Sequence, residues 1–298
     1  MNTLPALPCY LNGEFTTLPN AKISVMDRGF IFGDGVYEVA PVYQGQLFRF
    51  ANHMTRLDRS LKELRMSNPL SHRQWADVAM RLIADYAAST GAADQNGNQL
   101  IYIQITRGVA LRDHVMLTDL TPTVFVMTNA MKSPSDDERR LGVACVTADD
   151  FRWEKAHIKS TSLLGAVFAR QISFDQDAVE TIMFRDGFLS EAATCNVWII
   201  KDGKVLGTPK DNLVLEGIRY GLIEEICARQ GMAFELRRIS HDEVRNADEV
   251  LLSSATKEVL PVTQLDGQPV GSGQPGPVYA RLYAGYQETK AEVLQTSA

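Results

Sequence analysis

DFRWEKAHIKSTSLLGA, residues 150–166, sets Lys159 between Ile158 and a run of hydroxyl-bearing and apolar residues, STSLLGAVFA. An ammonium group there is poorly solvated, which favours the neutral amine and makes it a nucleophile towards an aldehyde, the behaviour of a Schiff-base lysine. Taken alone, Lys159 reads far more readily as a solvated surface cation, as most lysines are. Lys155, four residues earlier, lacks the surrounding IKS context.

The flanks of this stretch alternate between strand and helix patterns. VACVTAD (143–149) and VETIMFRDG (179–187) read as strands, and TSLLGAVFARQISF (161–174) as a helix. Further strands are predicted at VYEVAPVY (36–43), LIYIQITRG (100–108), TVFVMTNA (123–130), CNVWIIKDG (195–203) and EVLLSSA (249–255). Helical spacing of apolar residues marks 50–66, where Met54, Leu57, Leu61 and Leu64 share a face, and also 71–89, 217–231 and 277–294. Asn12-Gly13, Gln44-Gly45, Asp186-Gly187, Asp202-Gly203 and Asp266-Gly267 lie between alternating apolar residues and predict two-residue hairpins, hence abundant antiparallel sheet. Pro41, inside a predicted strand, donates no ladder bond and points to an edge or a bulge.

A chain of 298 residues, 45% of them hydrophobic, can bury a large core, and the length suggests two domains. Pro122 and the polar stretch NAMKSPSDDERR place a division at residues 129–140, with domains over 1–128 and 141–298. The fold class expected is α+β, with mostly antiparallel or mixed sheets and packed helices. The net charge of −6 leaves no basic stripe for nucleic acid. Cys9, Cys145, Cys195 and Cys227 form no C-x-x-C, so neither a disulfide framework nor a zinc site is indicated, and a reducing compartment is expected. No stretch reaches the roughly 20 apolar residues of a membrane span, and MNTLPALPCY lacks a basic region followed by an apolar core, so a cytoplasmic protein is expected. GSGQPG (271–276) satisfies G-x-G-x-x-G, but Pro275 and the lack of a following βαβ unit make it a loop. The glycines of IFGDGVYE are explained by a tight turn as well as by a phosphate cradle.

Four segments in order, DRGFIFGDGVYE (27–38), HMTRLDRS (53–60), IKSTSLLGAV (158–167) and LSEAATCNVW (189–198), resemble the fold-type IV aminotransferases dependent on pyridoxal 5'-phosphate (PLP). The similarity runs from about Tyr10 to the last helix. TRGVALRDH (106–114) carries an R-x-H pair and brings the chain nearest to the D-amino acid aminotransferase branch.

The resemblance implies a transaminase that exchanges an amino group between an amino acid, D-alanine for example, and a 2-oxo acid. Enzymes for L-branched amino acids or primary amines, a 4-amino-4-deoxychorismate lyase of the same fold, and a non-catalytic PLP-binding protein are the alternatives. Lys159 would carry the cofactor and move the substrate proton. Arg56 would take the phosphate, with Leu215, the backbone of Ile218 and Arg219 at a helix start, Ser254 and Thr256. Glu191 would hold the pyridine nitrogen, and Tyr37, Arg112 and His114 the substrate carboxylate. The last two would serve a neighbouring subunit, which implies a homodimer. Arg219 and Ala255 stand where relatives often have threonine, and Pro41 where D-amino acid enzymes often have a basic residue.

Overall fold

In the computed structural model, which describes residues 4–90 and 97–296, the chain divides into two compact units. Among the described residues the first comprises 4–90, 97–131, 158–163 and 293–296, the last four being the end of the C-terminal helix, and the second 132–157 and 164–292. Residues 129–140, where the sequence suggests a division, hold the end of one strand and a short helix.

The first unit contains strands β1 (Pro8–Leu11) and β2 (Glu14–Thr17), helix α1 (Arg28–Phe32), strands β3 (Gly35–Tyr43) and β4 (Gln46–Leu47), helices α2 (Phe50–Glu63) and α3 (His72–Thr90), and strands β5 (Gln99–Thr106) and β6 (Thr123–Ala130). The strands form one antiparallel sheet in the order β2-β1-β6-β5-β3-β4. Its apolar residues, among them Val36, Ile101, Ile103 and Val126, pack with Met54, Leu57 and Leu61 of α2 and Trp75 and Leu82 of α3. Burial of that surface stabilises the unit by about 25 cal/mol per Å² removed from water.

Pro41 lies where its missing donor is tolerated. The N–H of Tyr37 points away from β5 to the carbonyl of Lys159 at 2.9 Å, and Pro41, four residues on, faces the same side. There β4 pairs only Val42 and Tyr43 of β3. The position is therefore edge-like, as the sequence suggests.

In the second unit are helix α4 (Asp136–Leu141), strand β7 (Val143–Asp149), helix α5 (Leu164–Phe174), strands β8 (Glu180–Arg185), β9 (Phe188–Ala192), β10 (Asn196–Lys201) and β11 (Lys204–Gly207), helix α6 (Ile218–Arg229), strand β12 (Phe234–Leu236), helix α7 (His241–Arg245), strands β13 (Glu249–Ser254), β14 (Glu258–Leu265) and β15 (Gln268–Pro269), and helix α8 (Pro277–Thr296). They build a mixed sheet in the order β12-β11-β10-β13-β14-β7-β8-β9, with β15 on β14; β7 runs parallel to both β14 and β8. Its core runs from Val143 and Ile182 through Val197 and Ile199 to Val250, Leu252 and Leu260. The class is thus α+β with one antiparallel and one mixed sheet. GSGQPG forms the loop between β15 and α8.

All five predicted hairpins are present, and both residues of each dipeptide take positive φ, from 48° at Asp266 to 101° at Gly13. That conformation matches the twist of paired strands. Among the described residues no helix is long and apolar enough to cross a membrane.

Candidate active site

Lys159 lies on a short extended segment that the first unit holds from several sides. Ser160 bridges Val36 of β3, the Thr161 N–H donates to the Gly35 carbonyl at 2.9 Å, and the Lys159 N–H reaches Ser60 Oγ on α2 at 3.3 Å. The hydroxyls that follow are used structurally, since Thr161 Oγ1 and Ser162 Oγ both donate to the Gly33 carbonyl, at 2.9 and 3.0 Å. With its backbone fixed, the half-buried side chain of Lys159 places Nζ 4.1 Å from the centre of the Tyr37 ring. Lys155 is exposed.

The glycines of IFGDGVYE serve this packing. A Cβ on Gly35 would meet the Ile105 carbonyl oxygen at 2.6 Å and Thr161 Oγ1 at 3.2 Å. Close backbone approach accounts for that glycine without a ligand.

Arg56 is buried on α2 with Glu38 of β3. Its Nε donates to Glu38 Oε1 at 2.7 Å and its Nη2 to Oε2 at 2.9 Å, while His53, one helical turn earlier, meets Oε2 through Nδ1 at 2.8 Å. Burial alone would raise the Glu38 carboxyl, but Arg56 and His53 outweigh it and hold it well below the usual carboxylate range. The guanidinium is therefore fixed in orientation by a carboxylate that stays ionised. Neither Glu38 nor His53 is singled out by sequence reading. The signal was present in the alternation of β3, which sends Glu38 to the opposite face from Tyr37.

Tyr37 is half-buried and lies 5.8 Å, ring centre to ring centre, from Tyr102. Burial, with Tyr37 adding to it, pushes the Tyr102 phenol up to about 12. Arg112 and His114 are exposed, and both lie against Phe32, with the Arg112 guanidinium 5.5 Å and the His114 ring 5.3 Å from its centre.

Within the second unit, Glu191 on β9 is buried in a polar nest. Arg152 Nη1 donates to its Oε1 at 2.5 Å, and Asn196 Nδ2 and the Leu215 N–H donate to its Oε2, each at 3.2 Å. Asn196 also donates to the Leu215 carbonyl at 2.9 Å, so Leu215 takes part through its backbone. Arg152 is itself held by both carboxylate oxygens of Asp150, each at 2.9 Å. Burial pushes the Glu191 carboxyl up to about 7 against the pull of Arg152 and the Leu215 amide. Arg152 lies within the stretch 150–166, and the spacing D-x-R is the only hint the sequence offers of its role.

Ile218 and Arg219 open α6, whose N-cap, Gly217, makes no side-chain capping bond, so the first N–H groups carry the positive end of the helix dipole. The Arg219 side chain turns inward, with Nη2 donating to the Ala255 carbonyl at 3.2 Å and the guanidinium 5.5 Å from the Tyr286 ring centre. The two departures from threonine therefore meet each other. Arg219 braces the turn after β13, which carries Thr256, while Ser254 Oγ accepts the Lys257 N–H at 3.1 Å.

Each unit by itself offers groups that suit PLP: the first an amine fixed beside an aromatic ring and an oriented guanidinium, the second a buried carboxylate hydrogen-bonded on both oxygens and an uncapped helix N-terminus.

The family model for amino-transferase class IV matches residues 35–265. The chain is 38% identical over 280 residues to a D-alanine aminotransferase of Staphylococcus aureus (strain MW2), covering 94% of this chain and 96% of that one. A D-alanine aminotransferase of Bacillus licheniformis is 35% identical over 93% of this chain and 95% of its own. Among solved structures, a branched-chain amino acid aminotransferase of Escherichia coli superposes with a TM-score of 0.82 over 95% of this chain and 94% of that one; at 22% identity it shows the shared fold. A further branched-chain amino acid aminotransferase, solved with pyridoxamine 5'-phosphate, superposes with a TM-score of 0.85 over 96% of this chain and 94% of that one, at 23% identity. The chain belongs to the class IV aminotransferases.

Proposed function

We propose that this chain binds PLP and exchanges an amino group between a D-amino acid, D-alanine among them, and a 2-oxo acid. The observation that carries the reading is Lys159. Its backbone is held by β3 and Ser60 while Nζ stays beside Tyr37. The D-alanine aminotransferases that the chain resembles over nearly its whole length favour the D-amino acid as donor.

When bound, PLP supplies an aldehyde carbon for an amine and a ring that draws electrons from the substrate Cα. Lys159 Nζ would hold that carbon in the resting enzyme and, once freed, move the proton at Cα. Glu191 would accept the N–H of the pyridine ring. A cationic nitrogen beside it favours the ionised carboxylate, which Arg152 already supports. Arg56, oriented by Glu38, and the Ile218 and Arg219 amides would bind the phosphate, with Ser254 and Thr256 adding hydroxyls.

Tyr37, Arg112 and His114 would bind the substrate α-carboxylate, the latter two from the partner of a homodimer. Val25, Phe30, Val109, Leu111 and Val115 are exposed apolar side chains on α1 and its adjoining loops, and such a patch suits burial against a second copy. The four cysteines are all free and buried, which accords with a cytoplasmic location.

Adding D-alanine and then L-leucine to the purified yellow protein, while following the absorption of the bound cofactor, tests the assignment. Bleaching by D-alanine alone is expected. Bleaching by L-leucine alone overturns the stereochemistry, and no response to either overturns the donor class.

A further inference from the structure

The loop that carries Arg112 and His114 is exposed, yet buried charges hold its backbone. Asp34, just after α1, accepts from Arg28 Nε at 2.8 Å and from Arg107 Nε and Nη2 at 2.8 and 3.0 Å. The arginine side chains are 3% and 2% exposed. Each spends further donors on backbone carbonyls. Arg28 Nη1 reaches Asp113 at 2.6 Å, between Arg112 and His114, and Arg107 Nη1 reaches Leu117 at 3.1 Å. Arg107 Nη2 also holds the Leu64 carbonyl at the end of α2, at 2.8 Å.

Phe32, two residues before Asp34, supplies the ring against which Arg112 and His114 lie, and the Arg28 guanidinium is 4.9 Å from its centre. Burial alone would raise the Asp34 carboxyl, but the bonds from Arg107 and Arg28 hold it below the usual carboxylate range, so Asp34 stays ionised at neutral pH.

The loop has little packing of its own to order it, with Leu111 at 86% and Val115 at 61% exposure. Fixing it costs conformational entropy, on the order of 1–2 kcal/mol per residue for the backbone. If that ordering were left to substrate binding, it would weaken affinity; completed beforehand, it does not.

We infer that Arg28, Asp34 and Arg107 form a positioning clamp that sets the affinity of Arg112 and His114 for the substrate carboxylate without touching substrate. The inference rests on the proposed carboxylate role of Arg112 and His114. An ammonium group cannot reproduce the fork that reaches Asp34 and the Asp113 carbonyl together, so Arg28→Lys keeps the charge and loses the grip. Arg107→Lys likewise keeps the charge and loses the fork that reaches Asp34 and the Leu117 carbonyl together, which gives a second variant should the first fail to fold.

The experiment uses the holoenzyme. It measures KM and kcat for D-alanine and for pyruvate, and hydrogen exchange of residues 109–117 before substrate is added. For either variant, KM for both substrates is expected to rise about tenfold with kcat within about twofold, the pattern of lost binding common to ground and transition states. Exchange in 109–117 should quicken, while that of β3 and the cofactor absorption stay unchanged. A merely structural role would lower the active fraction, and so kcat, without moving KM.

Unchanged KM or unchanged exchange overturns the clamp. Arg112→Ala, measured in parallel, separates the two claims. If Arg112→Ala raises KM and the clamp variants do not, the clamp alone is wrong. If Arg112→Ala leaves KM unchanged, the carboxylate assignment falls and takes the clamp with it.

Discussion

Replacing Glu191 with glutamine removes a titration that the fold has displaced. The carboxyl is raised from its ordinary value of 4.5 to about 7 by burial. A group whose folded value lies above its unfolded one contributes stability that is fully present below the unfolded value and is lost as pH rises through the folded value. Between pH 6 and pH 8.5 that loss is on the order of 1 kcal/mol for a shift from 4.5 to about 7. Glutamine keeps one acceptor oxygen for Arg152, sets an amide NH2 where Oε2 accepts from Asn196 and the Leu215 N–H, and does not titrate, so the cost of that lost acceptor is the same at both pH values. Urea denaturation of the cofactor-free protein at the two pH values should therefore show wild type losing on the order of 1 kcal/mol relative to Glu191→Gln on going to pH 8.5. Equal slopes, or wild type gaining on the variant, would show that Arg152 keeps Glu191 ionised throughout and that burial does not dominate the pair.

Glu38→Gln leaves Arg56 buried without its counter-charge and should destabilise the protein by about 3–5 kcal/mol, read by urea denaturation; a loss below about 1 kcal/mol would contradict the reading. The Glu38 carboxyl is held below the usual range despite burial, because Arg56 and His53 stabilise its charge. Its contribution is therefore present above the ordinary carboxylate pKa and is lost as pH falls through the folded value, so wild type should lose its advantage over the variant on acidification. Ser60→Ala removes the acceptor of the Lys159 N–H and should cost about 1–3 kcal/mol; thermal unfolding checks it, and an unshifted midpoint would mean that Ser60 does not hold Lys159.

Much of the fold was legible in the sequence because its elements are long and periodic or closed by residues that accept positive φ. TVFVMTNA and VACVTAD coincide with β6 and β7 to the residue. The helix read over 161–174 begins only at Leu164, because Thr161 and Ser162 belong to the segment pinned along β3 and Gly33. Helices α1, α4 and α7, of five, six and five residues, are too short to show periodicity. Two of them still carried readable signals, the capping boxes Ser135-x-x-Glu138 and Ser240-x-x-Glu243.

Candidate residues are legible in the sequence where the chemistry expected of them is tied to local context, as at Lys159 in its hydroxyl-bearing run and at the start of α6. Long-range partners were not. Arg152 meets a glutamate 39 residues later, and Asp34 an arginine 73 residues later. Only the sheets bring those groups within hydrogen-bonding reach, and no window of sequence contains both halves of either pair.

The most direct test of the central claim is reduction of the purified protein with borohydride, followed by tryptic peptide mapping. The account predicts that the cofactor mass is fixed on Lys159, within a peptide spanning residues 156–170 that trypsin fails to cut after position 159. A label on Lys155 or any other lysine, or no label at all, would contradict it.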